Sequence, residues 1–210
     1  DTEGLRYGSI ETPEKHYYGW KEENPSYNSA VDEPSKKHLS VHDVDYADDL
    51  LDFDIINLCQ KERFLEIIHN FMVFDAGVKK TARQNQYFGV KASQARVSKD
   101  EGGIIWHTQG SGKSLTMVWL AKWIRENVDN ARVLVVTDRT ELDEQIEGVF
   151  AGVDEEIYRS KSGADLVATL NEAEPWLLCS LVHKFGRHGG ESSDDEATDD
   201  YLEEFIKNLS

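Results

Sequence analysis

From Leu50 onward, apolar residues recur at helical spacing: Leu50, Phe53 and Ile56, then Phe64, Ile67, Ile68 and Phe71. The pattern breaks near Gln60, so two helices are expected there rather than one. A loop at Gly77 and a helix carrying Arg83, Gln86 and Phe88 should follow. Beyond residue 101 the rhythm changes. "GGIIWHT" (102–108) predicts a short apolar strand, and "GKSLTMVWLAKWIRENV" (112–128) predicts a helix that is apolar nearly all round. "ARVLVVT" (131–137) is a near-continuous β-branched run, the pattern of a buried parallel strand. "DRTELDEQIEGVF" (138–150) reads as a helix, capped either by Asp138 with Glu141 or by Thr140 with Asp143. "SGADLVATLNEA" (162–173) is a further helix and "WLLCSLV" (176–182) a third strand. Strand, helix, strand, helix, helix, strand implies a parallel sheet with right-handed crossovers, an α/β fold.

The two ends differ from this middle. Residues 1 to about 45 are polar and turn-rich, with one short strand-like piece, and read as the end of something or a linker. The tail from Gly186 begins as an acidic loop and closes on a short amphipathic helix. The chain begins without Met, which suggests a fragment. At 210 residues and 39% hydrophobic composition, a real core is expected. No apolar run approaches a membrane span, and no charged-then-apolar leader opens the chain, so a cytoplasmic protein is expected. Cys59 and Cys179 are far apart and flanked by apolar residues, as buried reduced thiols would be. Net charge is −17, from 40 acidic and 23 basic residues, which argues against a DNA binder with a broad basic face but permits a local patch. A source adapted to high salt would account for such acidity.

The sharpest chemical signal is "WHTQGSGKSLTM" (106–117). A strand, a glycine-rich turn and a helix opening on Gly112, Lys113 and Ser114 match the last three places of G-x-x-x-x-G-K-[ST]. Gly110 and Gly112 bracket the tightest part of the turn, where backbone N–H groups must point inward at phosphate oxygens. The helix N-terminus adds partial positive charge. Gln109, Gly110, Ser111, Gly112, Lys113 and Ser114 are therefore candidate nucleotide-binding residues. Lys113 is the candidate catalytic group, stabilising charge on the transferring phosphoryl group. Ser114 is the candidate Mg²⁺ ligand. His107 stands where the first glycine is usual. That position only begins the turn, so a side chain is tolerable.

Together with their flanks, these residues resemble the motor (restriction, or R) subunit of type I restriction–modification enzymes, which is similar to superfamily 2 helicases. "WHTQGSGKSLTM" looks like the family's motif I, His107 and Gln109 included. "VLVVTDRTELDEQI" (133–146) looks like motif Ia, and "LLCSLVHKFG" (177–186) resembles the strand and turn that follow. "ARQNQYFGV" (82–90) is similar to the family's adenine-reading segment, with Arg83 and Gln86 in the R-x-x-Q places. A Gln amide offers an acceptor and two donors, which suits the N6 and N7 edge of adenine. "LRYGSIETPEKHYYGW" (5–20) resembles the last strand of the N-terminal nuclease domain and its exit.

The resemblance implies residues 1–45 as the end of a nuclease domain and linker, 46–100 as a helical lead-in with the adenine-reading segment, and 101–210 as a partial P-loop (RecA-like) motor lobe. It implies ATP and Mg²⁺ as cofactors, and DNA plus the modification and specificity subunits as partners, with no membrane. Thr137 and Arg139, at the C-terminal end of a strand, would touch the DNA backbone; a helix cap and a surface ion pair is the competing reading.

The family also needs a D-E-x-H box at the end of an apolar strand. Asp195-Glu196-Ala197-Thr198 imitates one, but it follows "GGESS" inside an acidic run rather than an apolar strand. Without a true box, the 210 residues would hold a nucleotide without turning it over. His38 and His42 lack partners at zinc spacing. Core packing explains Trp106, Trp119 and Trp123 better than base stacking does. Two other readings stay open: a different P-loop enzyme such as a small-molecule kinase, whose arginine-rich lid the acidic 138–156 segment does not resemble, and a nucleotide-binding or interaction piece without activity.

Overall fold

A computed structural model describes residues 4–22 and 50–185. They fall into two compact units that divide between Thr116 and Met117. His38, His42, the acidic run at Asp195 and the expected terminal helix lie outside the described residues.

The first unit opens with two short antiparallel strands, β1 (Leu5–Tyr7) and β2 (Tyr18–Trp20), in the register Leu5↔Trp20. Only one strand-like piece was expected there. The predicted helix pair follows as α1 (Leu50–Cys59) and α2 (Lys61–Asn70). The break falls at Gln60, whose extended backbone (φ −52°, ψ 132°) interrupts the helical path.

Sequence patterning missed the next element. Residues around Gly77 form a hairpin of β3 (Met72–Asp75) and β4 (Val78–Thr81). Ala76 and Gly77 both have positive φ, 49° and 79°, the backbone that two-residue hairpin turns require. Four-residue strands carry too little periodicity to be read alone. The expected helix then begins one residue after Arg83, as α3 (Gln84–Val97).

An aromatic core holds this unit together. Trp20, Phe71 and Val90 are fully buried, and Tyr87 nearly so. Phe71 and Tyr87 have ring centroids 4.8 Å apart, and Trp20 lies 5.6 Å from Tyr87 in a tilted arrangement. The Arg63 guanidinium carbon stands 5.8 Å from the Trp20 ring while the group pairs with Glu22, so its charge is satisfied at the edge of the cluster. Tyr87 donates to Glu66 at 2.8 Å.

The strand predicted for 102–108 does not form: residues 101–108 have no regular structure. Ile104 and Trp106 are each 90% exposed. A strand is stable only when another strand completes its hydrogen-bond ladder, and no described strand pairs with this segment. The expectation that Trp106 packs in a core is corrected with it. Trp119, in contrast, is buried as expected.

The second unit holds a small parallel sheet of β5 (Val133–Thr137), β6 (Tyr158–Arg159) and β7 (Leu177–Leu181), in the order β5-β7-β6. Sequence reading missed β6, which is only two residues long. The helix α4 (Lys113–Asn127) runs into this unit from the first; α5 (Thr140–Gly152) and α6 (Gly163–Leu170) belong to it wholly. All five residues of β7 are buried. β5 is less buried than its composition suggested, because it lies at an edge of the described sheet, and Val136 is 47% exposed.

Arg139, rather than Asp138 or Thr140, occupies the N-cap position of α5 and makes no side-chain cap bond. The Ser162 side chain does cap α6, accepting from Asp165 N–H at 3.1 Å. Cys179 is buried as expected, but Cys59 is exposed; neither forms a disulfide among the described residues.

Candidate functional site

The loop at 107–114 is shaped by its two glycines. Gly110 and Gly112 adopt φ of +77° and +81°, a region that side-chain-bearing residues enter only with strain. Between them, Ser111 closes a turn onto Thr108, its N–H reaching the Thr108 carbonyl at 3.3 Å and its hydroxyl at 2.8 Å. α4 begins at Lys113, so the amides of its first turn have no helical acceptor and remain available to an anion. The Lys113 ammonium folds back onto the His107 and Thr108 carbonyls, at 3.1 Å each. It thus spans the loop mouth and stays exposed.

The residue that caps α3 and one residue of its first turn brace this loop. Arg83 donates to the Gly110 carbonyl at 3.2 Å. Gln86 donates from Nε2 to the Gly112 carbonyl at 2.9 Å, while its Oε1 accepts from Arg83 N–H at 2.8 Å. Gln86 is 2% exposed. The R-x-x-Q spacing therefore works as one half of a capping box: the glutamine accepts from the N–H at the helix start and holds the loop with the same amide.

The candidate phosphate-loop residues and Arg83 with Gln86 are thus brought together, although 23 positions or more separate the two groups in sequence. Ser114 is half-buried in the first turn of α4, and Gln109 is exposed on the loop. Thr137 and Arg139 lie in the second unit. Thr137 is 7% exposed and its hydroxyl has no hydrogen-bond partner among the described residues. The Arg139 side chain is 73% exposed, beside Asp138 at 3.6 Å.

Several contributors left no trace in the sequence pattern. The Arg83 guanidinium lies over the Tyr18 ring, 4.3 Å from its centroid, and donates to the Tyr18 hydroxyl at 3.0 Å. Tyr7 donates to the Ala82 carbonyl at 2.6 Å, and burial pushes its phenol well above the usual range, so it remains a protonated donor. The β1–β2 pair therefore grips the start of α3 at two points. The His107 ring packs on Gly89 of α3: a Cβ built there would stand 3.2 Å from the ring. His107 is thus a packing residue as well as the first residue of the loop. No local signal ties residue 18 to residue 83 or residue 89 to residue 107; only the folded chain does.

Among the described residues, no group of three or more His, Cys, Asp or Glu could hold a metal ion. No helix among them is long and apolar enough to cross a membrane.

Residues 85–207 match the SWI2/SNF2 ATPase family. The chain is 34% identical over 149 residues to the type I restriction enzyme MjaIXP endonuclease subunit of Methanocaldococcus jannaschii, covering 65% of this chain and 14% of that protein. It is 31% identical over 176 residues to the type I restriction enzyme HindI endonuclease subunit of Haemophilus influenzae, covering 77% of this chain and 14% of the relative. The chain thus spans about one seventh of the length of these relatives. With more than half of its residues inside the matched region, the chain belongs to the SWI2/SNF2 ATPase family, and it is a homologue of type I restriction enzyme endonuclease subunits.

Proposed function

We propose that this chain is the nucleotide-holding part of the first RecA-like motor lobe of a type I restriction endonuclease subunit, which moves DNA at the expense of ATP and cleaves it. The observation that carries this reading is the braced loop: two positive-φ glycines at the start of α4, held by Arg83 and Gln86 through their carbonyls. Such a loop presents helix-start amides and one lysine to an anion, the arrangement that suits a nucleotide's β- and γ-phosphates. Lys113 leaves its carbonyl acceptors for phosphate oxygens and there stabilises charge on the transferring group. Gln86 and Arg83 face the adenine end. Each Gln86 amide atom makes one bond inside the protein, which leaves a second donor hydrogen and a second lone pair for a base edge.

Ser114 suits Mg²⁺ as one ligand among several. Mg²⁺ keeps waters and takes phosphate oxygens, so the nucleotide would supply the ligands that no described acidic cluster provides. When bound, the metal would neutralise phosphate charge. Thr137 and Arg139, at the end of β5, are proposed to contact the DNA backbone. DNA and the modification and specificity subunits would be the partners, in the cytoplasm.

The test is binding against turnover. Magnesium ATP is titrated into the chain and into Lys113→Ala, and hydrolysis is followed with and without DNA. Weak ATP binding that the variant loses, without DNA-stimulated hydrolysis, is expected. Lys113→Ala binding ATP as well as the parent would overturn the phosphate assignment. Strong turnover would show that an acidic motif does lie within these 210 residues.

A further inference from the structure

Arg83 uses both arms of its guanidinium. Nη1 donates to the Gly110 carbonyl at 3.2 Å, and Nη2 donates to the Tyr18 hydroxyl at 3.0 Å. The bond to Gly110 is exposed, and an exposed arginine has many rotamers to lose. Alone, such a side chain would hold a loop carbonyl only part of the time. Its planar fork becomes an effective donor once something fixes the plane. Tyr18 does so with two groups: its ring lies under the guanidinium, 4.3 Å from centroid to carbon, and its oxygen accepts from the second arm.

Tyr18 is itself held in place. Trp20, two residues along β2 and so on the same face of the strand, is fully buried and lies 5.6 Å from Tyr87 of α3. Tyr7 stands directly across from Tyr18 in the register of the β1–β2 pair, and its hydroxyl holds the Ala82 carbonyl at 2.6 Å. Lys21 N–H donates to Gln84 Oε1 at 3.3 Å, and the Gln84 amide nitrogen returns a bond to the Lys21 carbonyl. Residues 82, 83 and 84 are thus each tied to the β1–β2 pair, and the tie at Arg83 continues into the loop.

We propose that Tyr18 is a positioning residue for the phosphate loop, acting through Arg83. This rests on the phosphate reading above and gives the β1–β2 pair a part in it. Gly110, at φ +77°, lacks the side chain that would limit turning of its peptide, so its carbonyl has to be held from outside. The carbonyl and the N–H of one planar trans peptide point in opposite directions. Fixing the Gly110 oxygen therefore also fixes the Ser111 N–H, on the side where it closes the turn onto Thr108. Without Tyr18 the guanidinium moves among its rotamers and the Gly110 peptide loosens. The loop amides then lose the common orientation that an anion needs.

Magnesium tripolyphosphate, which has phosphates and no base, is titrated calorimetrically into the full chain. Tyr18→Phe keeps the ring and deletes the acceptor; binding should weaken about threefold, on the order of one hydrogen bond. Tyr18→Leu deletes the ring face as well, and a loss of about tenfold is expected. In an Arg83→Ala background, Tyr18→Phe should weaken binding no further, whereas a merely structural role would carry over into that background. The Arg83 Nε–H resonance of the ligand-free chain is a second readout: sharp in the parent and broadened in Tyr18→Phe. Unchanged affinity in both Tyr18 variants, an equal loss with and without Arg83, or an Arg83 resonance indifferent to Tyr18→Phe would overturn the positioning role and leave the phosphate site standing. A parent that does not bind tripolyphosphate would overturn the phosphate site, and the role of Tyr18 with it.

Discussion

The amide nitrogen of Gln86 donates to the Gly112 carbonyl at 2.9 Å, and a Cβ on Gly112 would stand 2.4 Å from that same nitrogen. Gly112 is therefore required twice, once for its φ of +81° and once for the close approach of Gln86. Gly112→Ala should destabilise the first unit by about 1–2 kcal/mol, from the left-handed backbone and the displaced glutamine together. ATP affinity should fall by about tenfold or more. In a Gln86→Ala background the collision is gone but the backbone strain remains, so only part of the loss should return. Thermal unfolding and ATP titration of the three variants check this. Full recovery in the double variant would show that the backbone can take a side chain there.

Gly89 and His107 form a second coupled pair. Gly→Ala within a helix normally stabilises by about 1 kcal/mol. At Gly89 the new methyl meets the His107 ring at 3.2 Å, so that gain should vanish or reverse. Replacing His107 by Ala should restore it. A double-mutant cycle read by thermal unfolding should show coupling on the order of 1 kcal/mol. Additive effects would mean the ring moves aside freely.

Asp54 gives a pH-dependent prediction. It is fully buried on α1; one carboxylate oxygen accepts from Leu5 N–H at 3.0 Å and the other has no partner among the described residues. Burial, the largest cause, holds its carboxyl above the ordinary range, against the lowering effect of the Leu5 bond and of Lys21. The folded state therefore binds the proton more tightly than the unfolded chain does. Its contribution is fully present below the unfolded carboxyl range and is lost as pH rises through the raised folded value. Asp54→Asn, which keeps an acceptor for Leu5, should flatten this fall and raise the melting temperature more at pH 7 than at pH 4. Equal shifts at both pH values would refute it.

Asp165 behaves in the opposite sense. Its carboxylate accepts from Lys161 N–H at 2.7 Å and from the Tyr158 hydroxyl at 2.9 Å, and these bonds, led by the Lys161 amide, hold its carboxyl below the ordinary range. The stabilisation is present above the unfolded carboxyl range and is lost as pH falls through the lowered folded value. Removing the other half of this cap by Ser162→Ala should cost about 1 kcal/mol at neutral pH. Urea unfolding at pH 7 and at pH 3 measures both effects.

Much of the site was legible in the sequence because its signals are local. Glycine spacing stated where φ must be positive, and a polar-to-apolar switch stated where α4 begins. Gln86 and Arg83 were singled out with a base in mind. Their bonds to the Gly112 and Gly110 carbonyls were not legible, because a side chain's partner across 26 or 27 positions depends on how α3 and the loop meet.

The same division holds for the fold. The sequence by itself determined the helices, the break at Gln60, the conformations of Gly110 and Gly112, and the presence of strands at Val133–Thr137 and Leu177–Leu181. These depend on propensity, periodicity and backbone sterics within a few residues. Only the tertiary structure decided that the apolar 102–108 segment lies exposed without a ladder, that β5 takes an edge while β7 takes the centre, and that Tyr18 reaches Arg83. A strand needs a neighbour and a buried polar group needs a partner, and the chain supplies both only where its long loops close.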